Sequence, residues 1–70
     1  MTKLPQVSHD RVVRALKRAG FYVLREGKHI SMTDDKHLVI ISRHHTVKPG
    51  TLRQILEAAE ISPEQFNLLL

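Results

Sequence analysis

Residues 20–42 read GFYVLREGKHISMTDDKHLVIIS, and aromatic and β-branched residues are concentrated in three short runs within this stretch. The runs FYVLRE, HISMT and HLVIIS each have a composition typical of a β-strand. They are separated by Gly27-Lys28 and by the DDK segment, which contain residues that favour tight turns. The sequence therefore predicts three consecutive strands joined by short turns in the middle of the chain.

The second predicted strand, HISMT, alternates between apolar and polar side chains. Successive side chains of a strand point to opposite faces, so if Ile30 and Met32 face the core, then His29, Ser31 and Thr33 face outward. We therefore expect His29 to be accessible. The third strand is a continuous apolar run, so its sequence does not show which face is buried. The register between the second and third strands is therefore uncertain by one residue.

Residues 8–20 predict a helix that precedes the strands. Ser8 is a good N-cap, and Gly20 is suited to end the helix because glycine readily adopts a positive φ. Apolar residues recur at helical spacing at Val12, Leu16 and Ala19. A neighbouring face carries a basic stripe made of Arg11, Arg14 and Arg18. This basic stripe is either a solvated face or a phosphate contact, and the spacing does not decide between them.

Residues 43–50, RHHTVKPG, predict a loop that leads into a second helix. The apolar positions of this helix follow the i, i+3, i+4, i+7 rule and are Leu52, Ile55, Leu56 and Ala59. Its N-terminal N–H groups near Gly50 and Thr51, with Lys48 and Arg53 close in sequence, are suited to bind a phosphate. Plain helix capping is the alternative, and spacing alone favours it.

Residues 61–66, ISPEQF, combine several signals for the start of a short third helix. Ser62 is suited to the N-cap, Pro63 to the first helical position, and Gln65 to the return hydrogen bond of a capping box. Ile61 and Phe66 have the spacing of a hydrophobic staple across such a start.

The 70-residue chain has a net charge of +4 and contains no cysteine. Its length favours one domain over residues 1–70, and the missing thiols exclude disulfides and thiolate zinc sites. No apolar run reaches the roughly 20 residues that span a bilayer, and the N-terminus lacks the apolar segment of a signal peptide. We therefore expect a cytoplasmic protein with no membrane partner. The positive charge favours polyanionic partners such as nucleic acid.

The five histidines are candidates for proton transfer, because the pKa of an unperturbed imidazole lies near neutral pH. We assign His9 no role, and we expect His37 to be solvated beside a turn. His44 and His45 are adjacent and point apart in an extended chain, which disfavours a shared metal ion. We predict no metal site and no cofactor. At this point His29 is either an exposed bystander or a proton carrier.

The order of several segments resembles the HicA family of toxin–antitoxin systems. The segments are GF after the first helix, then REGKH, IISRHHTVKPGTLRQIL and ISPEQF, so the resemblance extends over nearly the whole chain. Its most specific parts are residues 27–29, Gly-Lys-His, and the block of residues 43–53. The sequence departs from the family pattern at Ser42, where proline is frequent, and at Glu60, where glycine is frequent.

This resemblance implies an α+β fold similar to that of a double-stranded-RNA-binding domain, with the order α-β-β-β-α and a short C-terminal helix. It also implies a toxin that cleaves mRNA independently of the ribosome and is neutralised by a HicB antitoxin. The catalytic residue that it implies is His29, the histidine of the glycine-x-histidine motif.

RNA cleavage is compatible with a single histidine, because the ribose 2′-OH supplies the nucleophile. His29 would either take the 2′-OH proton as a base or, as imidazolium, protonate the 5′-oxygen leaving group; either role is typically worth about 10² to 10⁴ in rate. The residues expected to offset charge on the phosphate oxygens are Lys28, Lys48 and Arg53. Further RNA contacts are expected from Arg11, Arg14 and Arg18. We expect cleavage to need no metal ion.

Two other classes of function are compatible with the sequence. The domain would bind duplex RNA by shape and 2′-hydroxyl contacts without cleaving it, or its basic surface would serve only an acidic protein partner. A cleavage assay on the purified protein separates the three classes.

Overall fold

The computed structural model describes residues 3–70, which contain one antiparallel sheet and three helices. The elements follow one another as α1 (His9–Arg18), β1 (Tyr22–Glu26), β2 (His29–Thr33), β3 (Leu38–Ser42), α2 (Pro49–Ala59) and α3 (Pro63–Leu69). The predicted α+β fold, with the order α-β-β-β-α and a short C-terminal helix, is confirmed. None of the helices within these residues is long and apolar enough to cross a membrane.

The sheet has the strand order β1-β2-β3, with antiparallel pairing between neighbours. One face carries buried apolar side chains that join a core shared with all three helices. From β2 and β3 these side chains are Ile30, Met32, Val39 and Ile41. Ile30 pairs with Ile41 and Met32 with Val39, which fixes the register that the apolar run of β3 left open.

The signals that predicted the two ends of α1 are confirmed. The Ser8 hydroxyl accepts a hydrogen bond from the backbone N–H of Arg11 at 3.4 Å. After the last turn, Gly20 adopts a φ of +100°, and the N–H of Phe21 donates to the carbonyl of Leu16 at 2.9 Å. This backbone path returns the chain toward the core, where Phe21 and Leu16 are both buried.

Two expectations about exposure are wrong. Ala19, assigned to the apolar face of the first helix, is exposed because it is the C-cap, and Ala15 is buried instead. Thr33, expected to face outward, is only 9% exposed. The Thr33 hydroxyl donates to the carbonyl of His37 at 2.6 Å and accepts from the N–H of Asp35 at 3.0 Å, so the β2–β3 turn covers it.

The apolar positions predicted for α2 are all buried: Leu52, Ile55, Leu56 and Ala59. The C-cap of α2 is Glu60, whose φ of +55° lies in the left-handed region that glycine adopts most easily. α3 begins with the predicted capping box between Ser62 and Gln65, in which each residue accepts from the backbone N–H of the other. Phe66 is completely buried and anchors α3 on the core.

The segment before α1 is tied to the loop that joins β3 to α2. Val7 and Val47 form an isolated antiparallel bridge, in which the N–H of Val47 donates to the carbonyl of Val7 at 2.7 Å. The backbone N–H and the Nδ1 of His9 both donate to the carbonyl of His44, at 3.1 and 2.8 Å. His9, to which the sequence assigned no role, therefore holds this loop against the start of α1.

Candidate functional site

His29 is the first residue of β2 and is exposed, as the alternation of HISMT predicted. The N–H of Gly27 donates to the carbonyl of His29 at 3.2 Å and closes the β1–β2 turn. Across the sheet His29 pairs with Ser42, the last residue of β3, and the Ser42 Oγ lies 3.3 Å from the His29 Nδ1. The imidazole is thus held at one end of the sheet, with its Nδ1 beside a hydroxyl.

Arg43 is a residue of this site that sequence reasoning left without a role. It directly follows Ser42, and its Nε donates to the carbonyl of Gly27 at 2.7 Å. The contact joins residues that are 16 positions apart and brings the guanidinium to the turn that carries His29. Its signals in the sequence were its place in the basic segment just after the third strand and at the start of the block of residues 43–53 that carries the family resemblance.

Lys28 and the start of α2 provide further positive potential. Lys28 lies in the β1–β2 turn next to His29 and is exposed. Lys48 is the N-cap of α2 and makes no side-chain hydrogen bond to the helix, so the capping alternative for this segment is not realised. The first turn of α2 is therefore not capped by the side chain of Lys48, and the dipoles of the N–H groups of Gly50 and Thr51 favour an anion.

Arg53 lies within α2. It lines a groove between α2 and α3, together with Leu4 and Glu57 among other residues. Within residues 3–70, no hydrogen bond joins Arg53 or Lys48 to His29. Of the three residues predicted to offset charge on the phosphate, Lys28 is the one adjacent to His29 in the chain.

The basic stripe of α1 is confirmed as a common surface. Arg11, Arg14 and Arg18 line a small polar concavity of about 90 Å³ together with Ala15 and Leu70. Arg18 also joins α1 to the end of α3, because its Nη1 donates to the carbonyls of Leu69 and Leu70 at 2.6 and 2.9 Å. The side chains of Arg11 and Arg14 are exposed.

His37 is not the solvated turn residue that the sequence predicted. Its side chain is 22% exposed, its Nδ1 lies 3.0 Å from the carboxylate of Asp34, and its Nε2 donates to the carboxylate of Glu60. The hydrogen bond to Asp34, followed by the one to Glu60, raises the pKa of His37. The His37 contact is also the largest of the effects that lower the pKa of Asp34 to about 2. The Asp-x-x-His spacing at 34–37 was the available signal for this ion pair.

The face of the sheet opposite the core carries exposed apolar side chains. Tyr22, Leu38 and Ile40 are 45%, 57% and 57% exposed. Ile40 pairs with Ser31, and Ser42 on the same strand pairs with His29, so this open apolar face is continuous with the His29 end.

The fold and the site define a small α+β protein with an accessible histidine at the end of an antiparallel sheet, flanked by basic residues. The family model described as the HicA toxin of bacterial toxin–antitoxin systems matches residues 10–61. The chain therefore belongs to the HicA toxin family. Neither curated proteins nor solved structures gave a match to the chain. In the part of the chain that the structure describes, no group of three or more His, Cys, Asp or Glu residues is arranged to hold a metal ion.

Proposed function

We propose that this toxin is an endoribonuclease that cleaves mRNA through His29 without a metal ion, and that a HicB-like antitoxin neutralises it. The observation that carries the proposal is the exposed imidazole whose Nδ1 faces Ser42, at a turn that contains Lys28 and whose Gly27 carbonyl accepts from Arg43. The Nε2 of His29 makes no hydrogen bond within residues 3–70, so this is the nitrogen proposed to contact the RNA.

In the proposed reaction the ribose 2′-oxygen attacks the adjacent phosphorus, and the bond from phosphorus to the 5′-oxygen breaks. The products are a 2′,3′-cyclic phosphate and a free 5′-hydroxyl. His29 Nε2 either accepts the 2′-OH proton, while water protonates the 5′-oxygen, or it protonates the 5′-oxygen as imidazolium, while water takes the 2′-OH proton. In both roles Nδ1–H donates to Ser42, which fixes the ring and directs Nε2 outward.

The test is cleavage of an end-labelled RNA by the purified protein, with and without EDTA. We expect unchanged cleavage in EDTA, a cyclic phosphate end, and loss of activity in His29→Ala. The matched control is His45→Ala, which removes another exposed histidine from the loop after β3. Activity that EDTA abolishes and one added metal restores would contradict the metal-independent reaction, and tight RNA binding without any cleavage would favour the non-catalytic RNA-binding module.

The pH dependence of cleavage distinguishes the two roles of His29. A cleavage rate that rises with pH indicates a base, and a cleavage rate that falls with pH indicates an acid. A cleavage rate that does not change with pH would contradict proton transfer by His29.

The antitoxin is proposed to cover His29 and the open apolar face beside it. Tyr22, Leu38 and Ile40 supply apolar area next to the histidine, and the positive charge of the toxin is complementary to an acidic partner. Modification of His29 by diethylpyrocarbonate, followed by mass spectrometry, should be fast in the free toxin and slow in the complex. Equal reactivity in the two states would exclude occlusion as the means of neutralisation.

A further inference from the structure

We infer that Arg43 is a second functional residue of the His29 site, which holds the β1–β2 turn through its Nε and binds the scissile phosphate through its two terminal nitrogens. This inference rests on the proposed cleavage reaction. It adds a substrate-binding group that neither the sequence pattern nor the family match identifies.

The connection from Arg43 to His29 consists of two consecutive hydrogen bonds. The Arg43 Nε donates to the carbonyl of Gly27 at 2.7 Å, and the N–H of Gly27 donates to the carbonyl of His29 at 3.2 Å. Arg43 is also the residue after Ser42, whose hydroxyl lies 3.3 Å from the His29 Nδ1. The guanidinium and the imidazole are therefore positioned by the same pair of backbone segments.

The terminal nitrogens of Arg43 are available to a ligand. Guanidinium has five N–H donors, and the Gly27 carbonyl uses the single N–H on Nε. Arg43 is exposed and forms no ion pair with a carboxylate in the described part of the chain. In Arg18, by contrast, Nη1 itself is engaged by two backbone carbonyls.

The chemistry at phosphorus suits such a group. As the 2′-oxygen attacks, negative charge builds on the two non-bridging phosphate oxygens, and a planar guanidinium can donate to both in parallel. Donors fixed in place before the reaction stabilise this charge without reorganisation, and the Gly27 contact supplies the fixation. Because the charge is greater in the transition state than in the bound RNA, the effect falls mainly on kcat.

The decisive variant is Arg43→Gln. The glutamine amide nitrogen occupies the same position along the side chain as the arginine Nε, so it retains a donor for the Gly27 carbonyl while the positive charge and the terminal nitrogens are lost. The matched control is Lys36→Ala, which removes one positive charge from the β2–β3 turn at the opposite end of the sheet. Arg43→Lys keeps the charge but not the fork of two donors.

We expect kcat for a short RNA substrate to fall about 100-fold in Arg43→Gln, the usual size of losing one transition-state donor, with a much smaller change in KM. Arg43→Lys should be intermediate, and Lys36→Ala should stay close to wild type. Added guanidinium chloride at millimolar concentration should restore part of the activity of Arg43→Gln and none in His29→Ala.

A kcat in Arg43→Gln within twofold of Lys36→Ala would overturn the inference while leaving His29 catalysis intact. Equal loss in Arg43→Gln and Arg43→Lys, with lowered thermal stability and no rescue by guanidinium, would overturn it in favour of a purely structural residue. Inactive wild-type protein, or full activity in His29→Ala, would instead reject the proposed function itself.

Discussion

The two ends of the sheet each hold a histidine, and they differ in how many partners it has. At the end formed by the β1–β2 turn, His29 is exposed, and within residues 3–70 its ring has one hydrogen-bond partner, the hydroxyl of Ser42. At the end formed by the β2–β3 turn, His37 is held between the carboxylates of Asp34 and Glu60. Its ring also lies 6.3 Å from that of Phe21, measured between centroids.

This difference fits the reactive role proposed for His29 and a structural role for His37. A histidine whose two ring nitrogens both donate to carboxylates is kept as an imidazolium and has no nitrogen left for a substrate. The two contacts of His37 tie the β2–β3 turn to the end of α2. The Nε2 of His29 makes no hydrogen bond within residues 3–70, which suits the proton transfer proposed for it. The physical reason is that a polar group enclosed by the fold needs hydrogen-bond partners, whereas a proton-transfer group needs one nitrogen within reach of the substrate.

The largest expected effect comes from exchanging each histidine for alanine. His29→Ala should lower RNA cleavage by about 10² to 10⁴ and change the free energy of unfolding by less than about 0.5 kcal/mol, as is usual for surface substitutions. His37→Ala should do the opposite, with a lower Tm and normal cleavage per folded molecule. Cleavage assays and thermal melts on the same preparations check both, and near-normal cleavage by folded His29→Ala protein rejects the comparison.

The next largest effect is expected from a substitution in the apolar core, on which both ends of the sheet depend. Leu56 is 2% exposed on α2, so Leu56→Ala should lower the free energy of unfolding by about 2–5 kcal/mol through lost burial and a residual cavity. Cleavage should fall only as the folded fraction falls. Urea melts give the stability, and a loss of activity in fully folded Leu56→Ala protein would show that the core acts on the site directly.

Substitution of two lysines tests whether RNA binds at the His29 end of the sheet rather than at the His37 end. Lys28→Ala, next to His29, should reduce the slope of log affinity against log salt by about 0.7–0.9, because one phosphate contact and its released counterion are lost. Lys36→Ala, at the His37 end, should leave the slope unchanged. Both lysine substitutions are made in the His29→Ala protein, which is expected to bind RNA without cleaving it. RNA affinity measured over a series of salt concentrations then gives the slope of each variant. Equal slopes for the two variants would show that Lys28 does not contact an RNA phosphate.

The smallest effect is the pH dependence of stability at the His37 end. The folded-state pKa of His37 is raised above 6.5, so its contribution is complete below that pH and is lost as pH rises through the folded value. The pKa of Asp34 is lowered from 3.8 to about 2, so its contribution is present above 3.8 and is lost as pH falls toward 2. Thermal melts over a pH series should therefore show that the Tm declines, as pH rises above 6.5, more in wild type than in His37→Gln.

Local sequence signals determined the helices, the strands and the exposure of His29. These signals were the cap at Ser8, the capping box at Ser62 and the apolar spacing of α2. Each depends on residues within one or two helical turns of one another, so it can be identified from the amino-acid sequence alone. The alternation of HISMT placed His29 outward for the same reason.

Only the tertiary structure decided which side chains meet. Ser42 lies opposite His29 because of the β2–β3 register, which the apolar run LVII does not specify. Arg43 reaches Gly27 across 16 positions, and His37 reaches Glu60 across 23. The physical reason is that periodicity constrains the direction of a side chain along its own element, whereas a partner on another element is fixed by how the buried faces pack together.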